Sequence, residues 1–128
     1  MPVALRAFLV VVDVGFVVYW LVSACGALPP EWLYAHHDDP VMMSWNWSFL
    51  PLDLVVSGSG LCAVFLARRG DDRWQKLALV SLAFTSASGL NAISFWALQR
   101  DVNISWWIPN LVLLLGPWPL LVGLLRRR

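Results

Sequence analysis

Long apolar runs separated by short polar segments dominate the chain. The four runs cover about residues 3–27, 48–67, 75–98 and 106–125. A helix rises about 1.5 Å per residue, so each run is long enough to cross a bilayer core of roughly 30 Å. Backbone amides in lipid must be hydrogen-bonded within the segment, which favours helices over open strands. The pattern predicts an all-α polytopic membrane protein, in which residues 1–128 form one four-transmembrane-helix bundle.

The composition agrees with this pattern. Hydrophobic residues make up 59% of the chain and charged residues only 13%, whereas soluble domains carry about 25% charged residues. The nine tryptophans suit membrane interfaces, because indole combines an apolar body with one N–H donor. No basic patch lies outside the short loops. We therefore expect membrane lipids as partners and no nucleic acid.

Four prolines fall within the predicted spans. Pro51 is expected in the first turn of the second helix, where its missing N–H costs little. Pro109, Pro117 and Pro119 predict a bent or kinked fourth helix.

The basic residues define the expected orientation. All lysines and arginines except Arg100 fall on one side of the four-span topology, namely Arg6, Arg68, Arg69, Arg73, Lys76, Arg126, Arg127 and Arg128. The positive-inside rule places that side in the cytoplasm. The prediction is a multi-pass protein of the cell inner (plasma) membrane with both termini cytoplasmic.

The longest loop, about residues 28–47, lies on the other side. It contains Glu31 and the run from His36 to Asp39, together with Trp32, Trp45 and Trp47. The aromatic residues indicate a cap on the membrane surface, either a lid or a fixed plug. Adjacent side chains diverge, and no second pair at metal-ligand spacing accompanies the histidines. We expect no metal and no cofactor.

Polar groups at membrane depth are costly and indicate either pairing or function. Asp53 lies six residues beyond Trp47, roughly 9 Å inside the outer interface, and Ser57 follows on the same helix face. Asp53 is either a structural acid that pins helices through Trp or Asn donors, or a ligand or proton site.

The other three helices bring polar groups to a similar depth: Tyr19 and Ser23 on the first, Asn91 on the third and Asn110 on the fourth. A single such group would join helices. Four at one level indicate a cavity that opens toward the outer leaflet, although interhelical joining alone stays an alternative.

Asp13 lies near the middle of the first helix. We expect it to pair with a hydroxyl of the third helix, where Ser81, Thr85 and Ser88 form a stripe. The alternative is a proton-accessible site. Small residues on the second and third helices are expected to allow close helix packing; these are Gly58, Ser59, Gly60, Ser86, Ser88 and Gly89.

The stretch from Trp45 to Asp53 resembles the YvaD-like family of small bacterial membrane proteins. The resemblance extends to Asp13, to residues 28–34 and to residues 106–110. It implies membership of a family without an assigned activity.

More distantly, the layout resembles the superfamily of the emopamil-binding protein and the sigma-two receptor (EXPERA). This resemblance implies a four-helix domain with a cavity for sterol-like or amphipathic amine ligands, in which intramembrane carboxylates bind a cation or stabilise a carbocation. Asp53 resembles the second-helix acid, Asn110 resembles the fourth-helix Asn of the sterol isomerase, and Asn91 stands where an Asp would be.

Two positions of the first helix depart from that superfamily. Ser23 stands where the superfamily has its first-helix acid, and Tyr19 stands where the sterol isomerase has its first-helix His. Sterol isomerisation needs both an acid and a stabilising base, so one carboxylate at the matched level is too few.

The leading hypothesis is an intramembrane cavity that binds an apolar or amphipathic small molecule, whether lipid, sterol-like or cationic. Asp53 would be the charge partner, and the orienting polar groups would be Asn91, Asn110, Ser23, Tyr19 and Ser57. The walls would include Trp20, Trp47, Trp96 and Trp107, which can make cation–π contacts.

Three alternatives stay open. A membrane isomerase or cyclase acting on lipid or isoprenoid substrates would need a second acid, such as Asp13 or Glu31. An accessory subunit would bind no ligand. A proton-coupled carrier or channel would require more helices, which a homodimer would supply. The sequence leaves open whether the protein is an enzyme.

Overall fold

The structure, a computed structural model, describes residues 1–127 and consists of five α-helices and one 3₁₀ turn. The helices are α1 (Val3–Cys25), α2 (Pro40–Arg68), α3 (Trp74–Leu98), α4 (Ile104–Leu115) and α5 (Pro117–Leu125), and the 3₁₀ turn is Pro30–Trp32. α4 and α5 follow each other as one span. The chain thus has four helical segments long and apolar enough to cross a membrane. The predicted all-α membrane bundle is confirmed.

The helices alternate in direction, so the bundle has two distinct ends. The "basic end" holds the N-terminus, the turn of residues 69–73 and the end of α5. The "loop end" holds residues 26–39 and 99–103. Arg128, counted among the basic residues of the first end, lies outside the described residues.

α2 begins eight residues earlier than the predicted boundary at residue 48. Asp39 caps the helix, because its carboxylate accepts a hydrogen bond of 2.8 Å from the backbone N–H of Val41, and Pro40 occupies the first helical position. Residues 40–47 are therefore helix and not loop. The expectation that Pro51 lies in a first turn is wrong, since this residue lies inside α2.

The fourth span is divided at Gly116, between α4 and α5. Pro117 begins α5, and its ring nitrogen cannot donate to a carbonyl of the preceding turn. Pro109 lies inside α4 without ending it. The prolines therefore interrupt the span at one of the places where a bend was predicted.

Small residues set the approach of α3 to α4. A Cβ added to Gly89 would lie 2.5 Å from the backbone nitrogen of Leu114 and 2.6 Å from the carbonyl oxygen of Asn110. Ser86 donates a hydrogen bond of 2.8 Å to the carbonyl of Leu114. Gly58, by contrast, has open space at its Cα, so the expected packing role is wrong for that residue.

The close-packed hydrophobic core lies in the basic half of the bundle. α1, α2, α3 and α5 contribute to it, and its buried members are Leu5, Leu9, Ala63, Val64, Trp74, Ala78, Leu82 and Leu124. α3 packs against α2, α4 and α5, whereas α1 packs mainly against α2. α1 and α4 thus pack little against each other, and the loop half of the bundle between them holds a cavity.

Candidate ligand cavity

The cavity in the loop half has a volume of about 400 Å³. α1, α2, α3, α4 and the loop after α1 all line it. The lining residues are Phe16, Tyr19, Trp20, Trp32, Leu33, Tyr34, Trp45, Asn46, Phe49, Asp53, Ser88, Ala92, Trp96, Ser105, Trp106, Pro109, Asn110 and Leu113. The surface is mostly apolar and aromatic, with a few polar groups at separate points.

Asp53 supplies the carboxyl group of this cavity from the middle of α2. The residue is buried, and Nε1 of Trp20 donates a hydrogen bond of 2.9 Å to its Oδ2. Oγ of Ser88 donates a longer one, of 3.4 Å, to its Oδ1. Both donors are neutral, and the described lining residues include no Lys or Arg. The carboxyl therefore joins α1, α2 and α3 without a cation from the part of the chain that the structure describes.

A second group of polar side chains, Tyr19 and Asn46, lies nearer the loop end of the cavity. The hydroxyl of Tyr19 donates to Oδ1 of Asn46 at 2.9 Å and lies 3.3 Å from the carbonyl oxygen of Leu33. Asn46 is buried, and its Nδ2 has no hydrogen-bond partner in the described chain. These contacts tie the loop after α1 to two helices, so that the loop forms a wall of the cavity.

Aromatic side chains pack tightly around the cavity. The ring of Trp45 stacks on Phe95 at 4.2 Å between centroids and meets Trp96 edge-on at 5.4 Å. On the opposite side, the rings of Trp20 and Trp47 lie 5.1 Å apart. Such stacked and edge-to-face pairs hold the walls in defined positions.

The structure brings together five of the predicted site residues around the cavity, namely Tyr19, Trp20, Asp53, Trp96 and Asn110. All four spans thus supply residues that the sequence singled out. Asn110 uses its Nδ2 within α4, where this atom donates a hydrogen bond of 2.7 Å to the carbonyl of Trp106.

The other five predicted residues lie outside the cavity lining. Ser57 donates a hydrogen bond of 3.0 Å to the backbone carbonyl of Asp13, and Ser23 donates one of 2.8 Å to the carbonyl of Tyr19 in its own helix. Asn91 is exposed on the outer face of α3. None of the three side chains lines the cavity, because two of them bond to backbone carbonyls and the third faces outward.

Two tryptophans predicted as cavity walls also lie elsewhere. Trp107 donates its Nε1–H to the carbonyl of Asp101 at 2.8 Å and so holds the loop between α3 and α4. Trp47 is 36% exposed and covers Trp20 from outside. It supports a wall residue without lining the cavity.

Several lining residues were not among the predicted site residues, including Trp45, Asn46, Phe49 and Ser88. The sequence could have predicted two of them, because Asn46 and Phe49 lie seven and four residues before Asp53 and so share its face of a helix. That signal becomes visible once Asp39 and Pro40 are interpreted as a helix start.

A more polar recess of about 590 Å³ adjoins the cavity at the loop end. It shares Trp32, Tyr34, Ser105 and Trp106 with the cavity and adds Glu31, Ala35, His36, His37 and Asn103. Nε2 of His36 lies 3.6 Å from Asp101, and Nε2 of His37 lies 3.9 Å from Glu31. The two histidines face different acids, and residues 1–127 hold no group of three metal-binding side chains.

Asp13 lies apart from the cavity and is completely buried. Neither carboxyl oxygen has a hydrogen-bond partner within the described residues, and the same is true of Oγ of Ser81. The predicted hydrogen bond to the hydroxyl stripe of α3 is therefore not formed. Thr85 instead bonds to the carbonyl of Ser81 in its own helix, and Ser88 bonds to Asp53.

Comparison with known proteins identifies relatives without an assigned activity. The chain matches the family described as "Family of unknown function (DUF5360)" over residues 5–128. It is 42% identical over 113 residues to "Uncharacterized protein YvaD" of Bacillus subtilis (strain 168), an alignment that covers 88% of this chain and 85% of that protein. No solved structure matches significantly. The YvaD-like resemblance is confirmed, and the likeness to the emopamil-binding protein stays a prediction.

Proposed function

We propose that this chain, which belongs to the DUF5360 family, binds inside its cavity a small apolar or amphipathic molecule with a polar or cationic end. One observation carries the proposal. The Asp53 carboxyl lines an aromatic cavity, and within residues 1–127 it is hydrogen-bonded only by the neutral groups of Trp20 and Ser88. Buried carboxylates are normally paired with a cation, and a ligand cation would supply that partner.

The size of the cavity supports a small-molecule ligand. Its volume of about 400 Å³ falls within the roughly 300–1,000 Å³ of typical ligand pockets, which are mostly apolar with a few placed polar groups. Indole rings also attract cations over their faces. The rings of Trp20, Trp45, Trp96 and Trp106 line the cavity.

The unpaired donor of Asn46 favours a ligand with two polar groups. Asn46 precedes Asp53 by seven residues on α2, which corresponds to roughly 10 Å along the helix axis. Its Nδ2 is a buried donor without a partner in the described chain. A ligand acceptor at this distance from the cationic end would satisfy that donor.

The site would open on the side opposite to the cytoplasm. The described basic residues other than Arg100 lie at the basic end, which the positive-inside rule assigns to the cytoplasm. We therefore place the protein in the inner (plasma) membrane, with both termini cytoplasmic and the cavity in the outer leaflet.

Binding is favoured over isomerase or cyclase chemistry by the acids around the cavity. Asp53 is the one acid among the described lining residues, and neither Asp13 nor Glu31 joins it there. The accessory-subunit hypothesis expects no cavity beside Asp53, so the cavity favours a binding role over that hypothesis as well.

Native mass spectrometry of the gently solubilised protein, wild type beside Asp53→Asn, provides the decisive experiment. We expect a discrete lipid or isoprenoid mass on the wild type and its loss in the variant. Asp38→Asn is the matched control, because it removes an exposed carboxylate from the loop end and should retain the bound mass.

Titration with dodecyltrimethylammonium, followed by tryptophan fluorescence, extends the experiment to a defined cation. Saturable quenching should appear in the wild type and in Asp38→Asn but not in Asp53→Asn. A ligand-free mass in all three proteins, with no thermal shift across cationic amphiphiles, would overturn the proposal and favour the accessory subunit.

A further inference from the structure

Asp13 is the second buried acid of the bundle, and the proposed cavity does not use it. Its side chain is 0% exposed, as is that of Ser81. Both carboxyl oxygens and the Ser81 hydroxyl lack hydrogen-bond partners among the described residues. An ionised carboxylate without a partner is strongly unfavourable in such surroundings, so these three atoms require a common explanation.

Three helices meet closely at this point. A Cβ added to Gly60 of α2 would overlap Oδ2 of Asp13, and it would lie 2.7 Å from Cγ of Asp13 and 2.8 Å from Oγ of Ser81. Ser57, also on α2, bonds to the backbone carbonyl of Asp13. The neighbours that these contacts identify, Gly60 and Ser57 on α2 and Ser81 on α3, carry no titratable group.

A proton satisfies the site without further ligands. Oδ2 of Asp13 and Oγ of Ser81 are not hydrogen-bonded within the described part of the structure, but both lie beside the same point at Gly60. A small side-chain rotation would let a neutral carboxyl donate its O–H to the Ser81 hydroxyl. A divalent cation does not fit the donor set, since Ca²⁺ takes six to eight oxygens and Mg²⁺ an octahedral set. We infer that Asp13 and Ser81 form an occluded proton-binding site in the centre of the bundle.

The surroundings of this site differ between its two sides. Toward the basic end, apolar side chains follow within one helical turn on each helix: Leu9 on α1, Ala63 on α2 and Ala78 on α3, each at most 1% exposed. These residues belong to the close-packed core and offer no group that can carry a proton.

Toward the loop end, hydroxyl groups lie among the apolar side chains. Ser57 lies between Gly60 and Asp53 on α2, and Ser88 of α3 bonds to Asp53. The Asp53 carboxyl lies roughly 10 Å from the level of Gly60, seven residues along the helix. These polar side chains make the loop side, and not the basic side, the route by which the Asp13 proton exchanges.

Infrared spectroscopy of the protein in lipid vesicles at neutral pH tests the proton directly and requires no ligand. Wild type should show the C=O stretching band of a protonated carboxyl, which Asp13→Asn should lose and Asp38→Asn should keep. An unchanged band in Asp13→Asn would overturn the inference. Because no ligand takes part, this outcome is separate from the outcome of the cavity experiments.

Ser81→Ala provides a second measurement in case Asp13→Asn does not fold. Removal of the hydroxyl should shift the Asp13 band to higher frequency, because the carboxyl loses its hydrogen-bond partner. A band at the wild-type position would overturn the pairing of these two residues.

The route is tested by the rate at which the band shifts after transfer to D₂O. Ser57→Ala should slow this exchange relative to wild type. Ser59→Ala is the matched control, because Ser59 bonds only to carbonyls of its own helix and should leave the rate unchanged. Exchange at the wild-type rate in Ser57→Ala would overturn access through the cavity side.

Discussion

The basic half and the loop half of the bundle are built from the same four spans but are packed differently. In the basic half, leucine, alanine and valine side chains from α1, α2, α3 and α5 fill the centre. In the loop half, large aromatic side chains stand around an open volume of about 400 Å³. Close packing depends on side chains that interdigitate, whereas stacked indole rings hold each other at fixed distances and leave space between them.

The two buried acids show what this difference means for chemistry. Asp53, in the loop half, faces a cavity and accepts hydrogen bonds from Trp20 and Ser88. Asp13, near the close-packed half, has no partner within the described chain. The same residue type thus lies beside an open cavity in one place and among closely packed helices in the other.

The largest expected effect comes from truncation of the close-packed half. Leu9→Ala should lower the free energy of unfolding by about 2–5 kcal/mol, because neighbouring helices cannot collapse into the space left behind. Leu113→Ala, which only enlarges the existing cavity, should cost clearly less. Denaturation in mixed micelles measures both, and equal losses would contradict the contrast between the halves.

The second largest loss of stability is expected where α2 packs closely against Asp13. Gly60→Ala should destabilise the fold by about 1–3 kcal/mol, since the added methyl group overlaps the Asp13 carboxyl. Gly58→Ala is the matched control on the same helix, with open space around it, and should change stability by no more than about 1 kcal/mol. Similar melting temperatures for the two variants would refute the close contact.

Removal of a single donor in the loop half should have a smaller effect. Trp20→Phe deletes the N–H that bonds to Asp53, and we expect a loss of about 1 kcal/mol, since the cavity gives the freed oxygen access to water. Trp47→Phe, which changes the ring packed against Trp20, should be milder still. Thermal unfolding compares them, and a loss as large as that of Leu9→Ala would show that Asp53 is structural.

The exposed turn at the basic end provides the smallest effect. Arg73 donates hydrogen bonds to Asp71, which lowers the pKa of Asp71 from 3.8 to about 2. A lowered pKa means that the stabilisation is fully present above pH 3.8 and is lost as the pH falls toward 2. The melting temperatures of wild type and Asp71→Asn should therefore differ slightly at pH 6 and converge near pH 2. Asp72→Asn is the control, and a difference that persists at pH 2 would exclude this ion pair as its cause.

The sequence predicted the four membrane-spanning segments, because a hydrophobic run of this length can satisfy its backbone hydrogen bonds in a bilayer only in a few structures, of which a helix is one. It predicted the helix ends near the membrane interface less accurately. The tryptophans between residues 45 and 47 suit both an interfacial loop and a helix, and the cap formed by Asp39 and Pro40 decides for the helix. The position of Pro51 within α2 changes with that boundary.

The candidate site was predicted only in part. The sequence indicates how deep a residue lies in the membrane more readily than it indicates toward which neighbour the side chain points. Successive residues differ by about 100° around a helix axis, so Asn91 is exposed while the adjacent Ala92 lines the cavity. Asp53 and Trp20 were found because their chemistry is unusual at membrane depth. Ser57 has the predicted depth, but its hydroxyl turns toward α1.

The length of α2 links the cavity to the thickness of the membrane. Its 29 residues extend over about 43 Å, whereas the hydrocarbon layer measures roughly 30 Å. If Arg68 stays at the basic surface, the surplus turns carry Trp45 and Asn46 into the headgroup layer. Hydrophobic mismatch, which proteins accommodate by tilting or by local thinning of the bilayer, then moves the cavity mouth. In a thicker bilayer the mouth faces acyl chains, and in a thinner one it faces headgroups and water. If the cavity binds a ligand as proposed, membrane thickness then influences which molecules reach Asp53.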